Sequence, residues 1–145
     1  MRYGFVFGFA FAALIGSAIS ACSSSSSDDS GTCPTPADAL MCVRGDNRLL
    51  NVVIRTPQPL VTGVNSMELT VTDNHGNPVD GLTVNVVPWM STMNHGSTSN
   101  PVVSPQGNGT YSVTNVVFIM PGPWDLQTTF TGPVSDYVAP TVQIP

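Results

Sequence analysis

From Arg48 to the C-terminus the chain alternates apolar and polar residues with a period of two, and that pattern confines it to strands. Met67, Leu69 and Val71 fall in one phase, and Glu68, Thr70 and Thr72 in the other. Leu82, Val84 and Val86 alternate with Thr83 and Asn85, and Trp124, Leu126 and Phe130 with Asp125, Gln127 and Thr129. Successive side chains of a strand point to opposite faces, so each run makes one apolar face and one wet face; on a helix the same residues would be scattered around the axis. Turn residues separate the runs: Asn74-His75-Gly76-Asn77-Pro78, Gln106-Gly107-Asn108-Gly109, Pro121-Gly122-Pro123 and Gly132-Pro133. With 13 glycines, 13 prolines and no amphipathic helix after residue 21, the chain is expected to be all-β. Seven strands are predicted near 48–56, 66–72, 82–89, 101–104, 111–119, 124–131 and 137–144. They read as a single Ig-like antiparallel β-sandwich.

Within 111–119 the phase slips. Tyr111 and Val113 share one face, but Val116 and Phe118 follow out of step, which predicts a β-bulge near Thr114-Asn115. Alternation also turns Trp124 inward, so Trp124 and Trp89 are expected to anchor packing.

The N-terminal part is of another kind. Residues 3–21 carry no charge, are mostly apolar and follow Arg2, the pattern of a secretory signal peptide. The ending Ile19-Ser20-Ala21-Cys22 resembles the lipobox of bacterial lipoproteins, in which the signal is cleaved before a cysteine that then carries diacylglycerol. The other readings are an ordinary signal peptide or an uncleaved anchor. The run Ser23–Ser27 followed by Asp28-Asp29 suits a flexible tether and cannot bury a core. The expected organisation is therefore a signal peptide at 1–21, a Ser-rich tether and cysteine-pair segment at 22–47, and the sandwich domain at 48–145. The expected place is the bacterial cell envelope, outside the cytoplasm, with attachment to the membrane through lipid on Cys22. In a host with two membranes, Ser23 lacks the aspartate associated with inner-membrane retention and favours the outer membrane.

Charge narrows the partners. Loss of Arg2 with the signal takes the net charge from −5 to −6, and there is no lysine. Such a surface repels phosphate backbones, which argues against nucleic acid, and offers no polybasic hold on anionic lipid. With Cys22 assigned to lipid, Cys33 and Cys42 remain. In an oxidising compartment a disulfide between them is expected; a thiolate metal pair would need further ligands near by, and none is evident.

No nucleophile–base constellation is present. Two histidines, no lysine and unclustered carboxylates make a catalyst unpromising, so no enzymatic activity is expected. What stands out is a set of soft donors. Pro88-Trp89-Met90-Ser91-Thr92-Met93-Asn94-His95-Gly96 follows one predicted strand, and Ile119-Met120-Pro121-Gly122-Pro123-Trp124 follows another. Thioether sulfur with imidazole suits Cu(I) far better than Zn(II) or Ca(II). If each connection reverses direction, the loop at 89–100 and the loop at 120–123 share one end of the sandwich. Met90, Met93, His95 and Met120 could then converge, whereas His75 and the incoming tether would sit at the other end. Methionine also fills irregular core gaps, so internal packing is the competing use of these residues.

At these same residues the chain resembles the YtkA-like domain and the related FixH-like group of bacterial envelope proteins. The matching pieces are Asp73…Gly76-Asn77-Pro78-Val79, Pro88–Gly96, Gly109-Thr110-Tyr111 and Phe118–Leu126. Ser91 stands where that pattern commonly has proline, and Asn94 where it commonly has glycine; each candidate ligand is kept. The resemblance implies a β-sandwich envelope protein without enzymatic activity, and FixH-like relatives are associated with copper supply to respiratory oxidases. The expected function is a lipid-anchored Cu(I) chaperone or buffer that hands copper to an acceptor protein of the envelope. The alternative is an Ig-like structural or protein-interaction lipoprotein.

Overall fold

The computed structural model describes residues 33–145. The expected signal peptide at 1–21, Cys22 and the expected serine-rich tether lie outside the described residues. The strands are β1 Met41–Arg44, β2 Leu50–Arg55, β3 Gly63–Asp73, β4 Thr83–Met90, β5 His95–Gly96, β6 Val102–Gly107, β7 Thr110–Phe118, β8 Gly122–Thr131, β9 Asp136–Val138 and β10 Thr141–Ile144. They form two antiparallel sheets. One has the order β1-β2-β3-β7-β6; the other has β10-β8-β4-β5, with β9 also paired to β8.

The period-two runs form the predicted strands because their apolar phases meet between the sheets. Val52, Leu69, Val71 and Val113 from one sheet face Val86, Leu126, Phe130 and Val142 from the other, all buried. Trp124, Tyr111, Phe118 and Phe130 are the largest fully buried side chains. The Tyr111 hydroxyl ties β7 to the connection between β3 and β4: it donates to the Val79 carbonyl at 2.9 Å and accepts from the Leu82 N–H at 3.2 Å.

The bulge falls where the phase slips. Asn65 pairs with Val116 and Met67 with Val113, so Ser66 opposes both Thr114 and Asn115. Asn115 sits at φ 58°, a left-handed conformation that asparagine tolerates better than most residues. The extra residue restores Val116 and Phe118 to the inner face.

Three features differ from the sequence expectation. First, the sheet starts before residue 48: Met41–Arg44 pairs with β2, so the cysteine-pair segment contributes an edge strand. Second, the predicted strand at 137–144 is two, because Pro140 interrupts it. The chain re-pairs with β8 on the far side, and the Pro140 carbonyl accepts from the Leu126 N–H. Third, His95-Gly96 forms a short strand inside the predicted loop.

Cys33 and Cys42 form a disulfide with a Cα–Cα distance of 5.2 Å. Cys42 pairs with Val53, which in turn pairs with Thr70. The chain therefore joins the fold at the β1 edge, three positions from the Asp73 end of β3 and seven from the Gly63 end. β1 adds a reversal: it runs antiparallel to β2, from Met41 opposite Ile54 and Leu69 toward Arg44 at the Asp73 end, so the chain does not enter at the His75 end as the strand count predicted.

Candidate metal centre

The Met/His segment is a hairpin. Met90, the last residue of β4, pairs with His95, and Trp89 pairs with Gly96. Ser91–Asn94 make the turn: the Met93 N–H donates to the Met90 carbonyl at 3.1 Å, and Asn94 takes the left-handed position at φ 53°. Asparagine is suited to that position, which explains why the turn closes without the glycine common in the related pattern. Gly96 has a packing role: a β-carbon there would lie 3.1 Å from the Trp89 ring and 3.3 Å from the Pro88 carbonyl. Trp89 thus covers Gly96 on the outer face and is half-buried, so only Trp124 of the two tryptophans anchors the core.

Directly paired residues share a face, and here the shared face is the inner one. Met90 is 2% exposed. The His95 ring meets Trp124 edge-on, with centroids 5.8 Å apart and planes at 74°. The other arm is the bend between β7 and β8. Gly122, at φ 127°, comes so close to Met90 that a β-carbon there would lie 3.2 Å from the Met90 methyl. The Trp124 indole N–H donates to the Met120 carbonyl at 3.0 Å and pins the bend. Met120 is half-buried and packs against the core. Met93, at the hairpin tip, is 60% exposed.

The structure thus brings Met90, His95 and the Met120–Trp124 bend to one end of the sandwich. Met93 projects from the same hairpin toward solvent, and Met90 lies beneath it inside the protein. His75 lies elsewhere. It follows Asp73 at one end of β3, while Gly63 at the other end pairs with Phe118, whose ring is 5.5 Å from Trp124. The ends of this eleven-residue strand are roughly 32–34 Å apart. His75 belongs to a turn built on Asp73, whose carboxylate accepts from the His75 and Asn77 N–H groups and from the Asn77 amide. Those donors hold the Asp73 carboxyl below its ordinary range, Asn77 contributing most.

The donor set has a defined chemistry. With its proton on Nδ1, His95 donates to the Gly96 carbonyl at 3.3 Å, which leaves the Nε2 lone pair for a metal. Imidazole and thioether together select soft, low-valent copper. Among the described residues no three His, Cys, Asp or Glu side chains gather in one place.

One contact at this end has no signature in the sequence. Asp125 follows Trp124 on β8 and faces outward. One carboxylate oxygen accepts from the Ser91 hydroxyl, the other from the Thr141 hydroxyl at 2.6 Å. In sequence Asp125 is one polar residue in a polar phase; only the pairing of β8 with both β4 and β10 shows that it touches the hairpin.

The fold and this end define a small antiparallel β-sandwich with a methionine- and histidine-bearing hairpin packed on a tryptophan bend. Comparison with known families places it: the YtkA-like family model matches residues 47–129, and the chain belongs to that family. The match spans both arms, the hairpin and the bend. No curated protein and no solved structure matches the chain.

Proposed function

We propose that this domain binds Cu(I) through Met90, Met93, His95 and Met120 and acts as a copper chaperone or buffer, without catalysis, at the outer side of a bacterial membrane. The observation that carries the reading is the cross-strand pair Met90–His95 on the inner face, set against the bend that bears Met120. Met93 is the exposed donor that meets an incoming ion, and His95 and Met90 receive it from below. Lipid on Cys22 would hold the protein at the membrane. From there it would hand copper to an acceptor protein of the envelope.

A competition titration of the purified protein against a Cu(I) chelator tests this. Uptake of one ion per chain is expected. Met90→Leu/Met120→Leu conserves bulk and should keep the fold while abolishing most of the uptake, and His95→Ala should weaken binding where His75→Ala does not. No uptake by the wild type, or equal uptake by the double variant, would refute the reading. For the anchor, Cys22→Ser should release the protein from membranes, and unchanged fractionation would count against it.

One observation favours a second reading. Met90 is 2% exposed and packed on Gly122, as a core methionine would be. On that reading the hairpin is a packed end of an Ig-like structural or interaction lipoprotein, and the same titration decides between the two.

A further inference from the structure

We infer that Asp125 is the positioning residue of the Met/His hairpin: its carboxylate latches Ser91 and so holds Met93 and His95 in the arrangement that captures the metal. The inference rests on the copper reading and deepens it.

Between Asp80 and Asp125 the sequence has no Asp, Glu, Lys or Arg. Both arms of the candidate centre fall within that uncharged stretch. Asp125, which closes it, is the first charge available to them, and its two oxygens are taken by hydroxyls from the structures on either side of β8. The Thr141 hydroxyl on β10 holds one oxygen, and the Ser91 hydroxyl at the start of the turn holds the other. Register explains the reach. Asp125 pairs with Trp89 on one side and Thr141 on the other, and Ser91 lies two residues beyond Trp89 on the same outer face.

Alternation keeps this latch off the metal. Met90 and His95 face inward, whereas Trp89, Ser91 and Asp125 belong to the opposite phase. Asp125 therefore acts on the turn without entering the ligand set. β5 is only two residues long and pairs with β4 alone; beyond it the far arm is held by the Ser97 N–H on the Pro88 carbonyl and the Ser99 hydroxyl on the Asn115 carbonyl, and the turn between the arms is held from β8 by the Ser91 hydroxyl on Asp125. A hydrogen bond to a charged acceptor is about twice as strong as a neutral one, and it fixes the turn at the residue next to Met90. Preorganised donors bind more tightly because less ordering remains for the binding step.

The test uses Ser91→Ala, Ser91→Thr and Asp125→Asn in the full chain, with two readouts. The first is amide exchange of Met93 and Asn94 in the metal-free protein, whose N–H groups bond back to Met90 and Ser91. The second is Cu(I) affinity by chelator competition. Ser91→Ala should speed exchange in the turn and weaken Cu(I) binding about three- to tenfold, the size expected for one charge-assisted hydrogen bond of which water recovers a part at an exposed position. Ser91→Thr keeps the hydroxyl and should restore both. Asp125→Asn keeps an acceptor without the charge and should fall between. Unchanged exchange in Ser91→Ala overturns the latch. Faster exchange with wild-type affinity overturns its positioning role and leaves the copper reading standing. Absence of Cu(I) uptake by the wild type overturns the copper reading, and with it any role of Asp125 toward metal.

Discussion

Replacing Asp136 should be the most damaging single polar change in this domain. Asp136 opens β9 and is 3% exposed. One carboxylate oxygen accepts from the Asn47 and Tyr137 N–H groups, both at 2.9 Å, and the other from the Leu49 and Leu50 N–H groups, both at 3.0 Å. The turn between β1 and β2 wraps this carboxylate, tying the first sheet to a strand of the second. Gly45 closes the wrap: a methyl there would overlap the Asp136 carboxylate. Asp136→Ala strips the acceptor from four backbone donors. The bond to Leu50 is fully buried and those to Asn47, Leu49 and Tyr137 partly so. An orphaned buried donor costs about 1–3 kcal/mol, and partly wet ones recover some of that from water. The sum is about 3–5 kcal/mol, a large share of a small domain's total stability. Asp136→Asn keeps one acceptor oxygen but sets an amide N–H₂ against N–H donors, so it should cost about 2–4 kcal/mol. Urea unfolding followed by tryptophan fluorescence measures both, with an unchanged m-value as the check that the unfolded reference is the same. A loss below about 1 kcal/mol for Asp136→Ala would refute the clamp, because four donors cannot lose a buried acceptor at the cost of one exposed hydrogen bond.

Tyr111→Phe removes the hydroxyl that joins Val79 and Leu82 and should cost about 1–3 kcal/mol in the same assay. Reduction of the Cys33–Cys42 bridge, or Cys33→Ser/Cys42→Ser, should lower stability by roughly 2–3 kcal/mol in the chain-entropy account of a short loop; two free thiols in the purified oxidised protein would contradict the pairing. The Asp38–Arg55 ion pair at 2.9 Å holds the Asp38 carboxyl below its ordinary range, chiefly through the hydrogen bond from Arg55. Because the folded value is depressed, the contribution is full above the ordinary aspartate range and is lost as pH falls through the folded value. Wild type and Asp38→Asn should therefore differ slightly at neutral pH and converge in acid, as thermal melts across a pH series would show.

The strands were legible because period-two alternation is a local property, written wherever one face is buried and the other wet. The bulge was legible too: a one-residue slip of phase at Thr114-Asn115 has no other economical cause. The shared end of the two soft-donor segments followed from counting reversals, and the counting survived because β1 precedes the strands that carry both arms and β5 is a two-residue return of the hairpin at the end of β4. Sequence alone was weaker wherever a residue's role depends on what lies across the sheet. Trp89 and Trp124 look alike in sequence, yet Trp124 is buried while Trp89 lies over Gly96 on the outer face. Asp136 and Asp125 are two polar residues in strand-like runs, and the partners that give them their roles are far along the chain: three of the four backbone N–H groups on Asp136 are 86–89 residues away, and the Ser91 hydroxyl is 34 residues from Asp125. A hydrogen bond of that separation leaves no periodic trace, because only the final register of the sheets brings donor and acceptor together. Thus the sequence by itself determined an all-β chain, its apolar faces and the chemistry of its soft donors. Tertiary structure alone decided which carboxylates clamp the fold, and that Met90 faces inward while Met93 meets the solvent. A side chain's burial depends on what packs over it, and in a sandwich that is the opposite sheet.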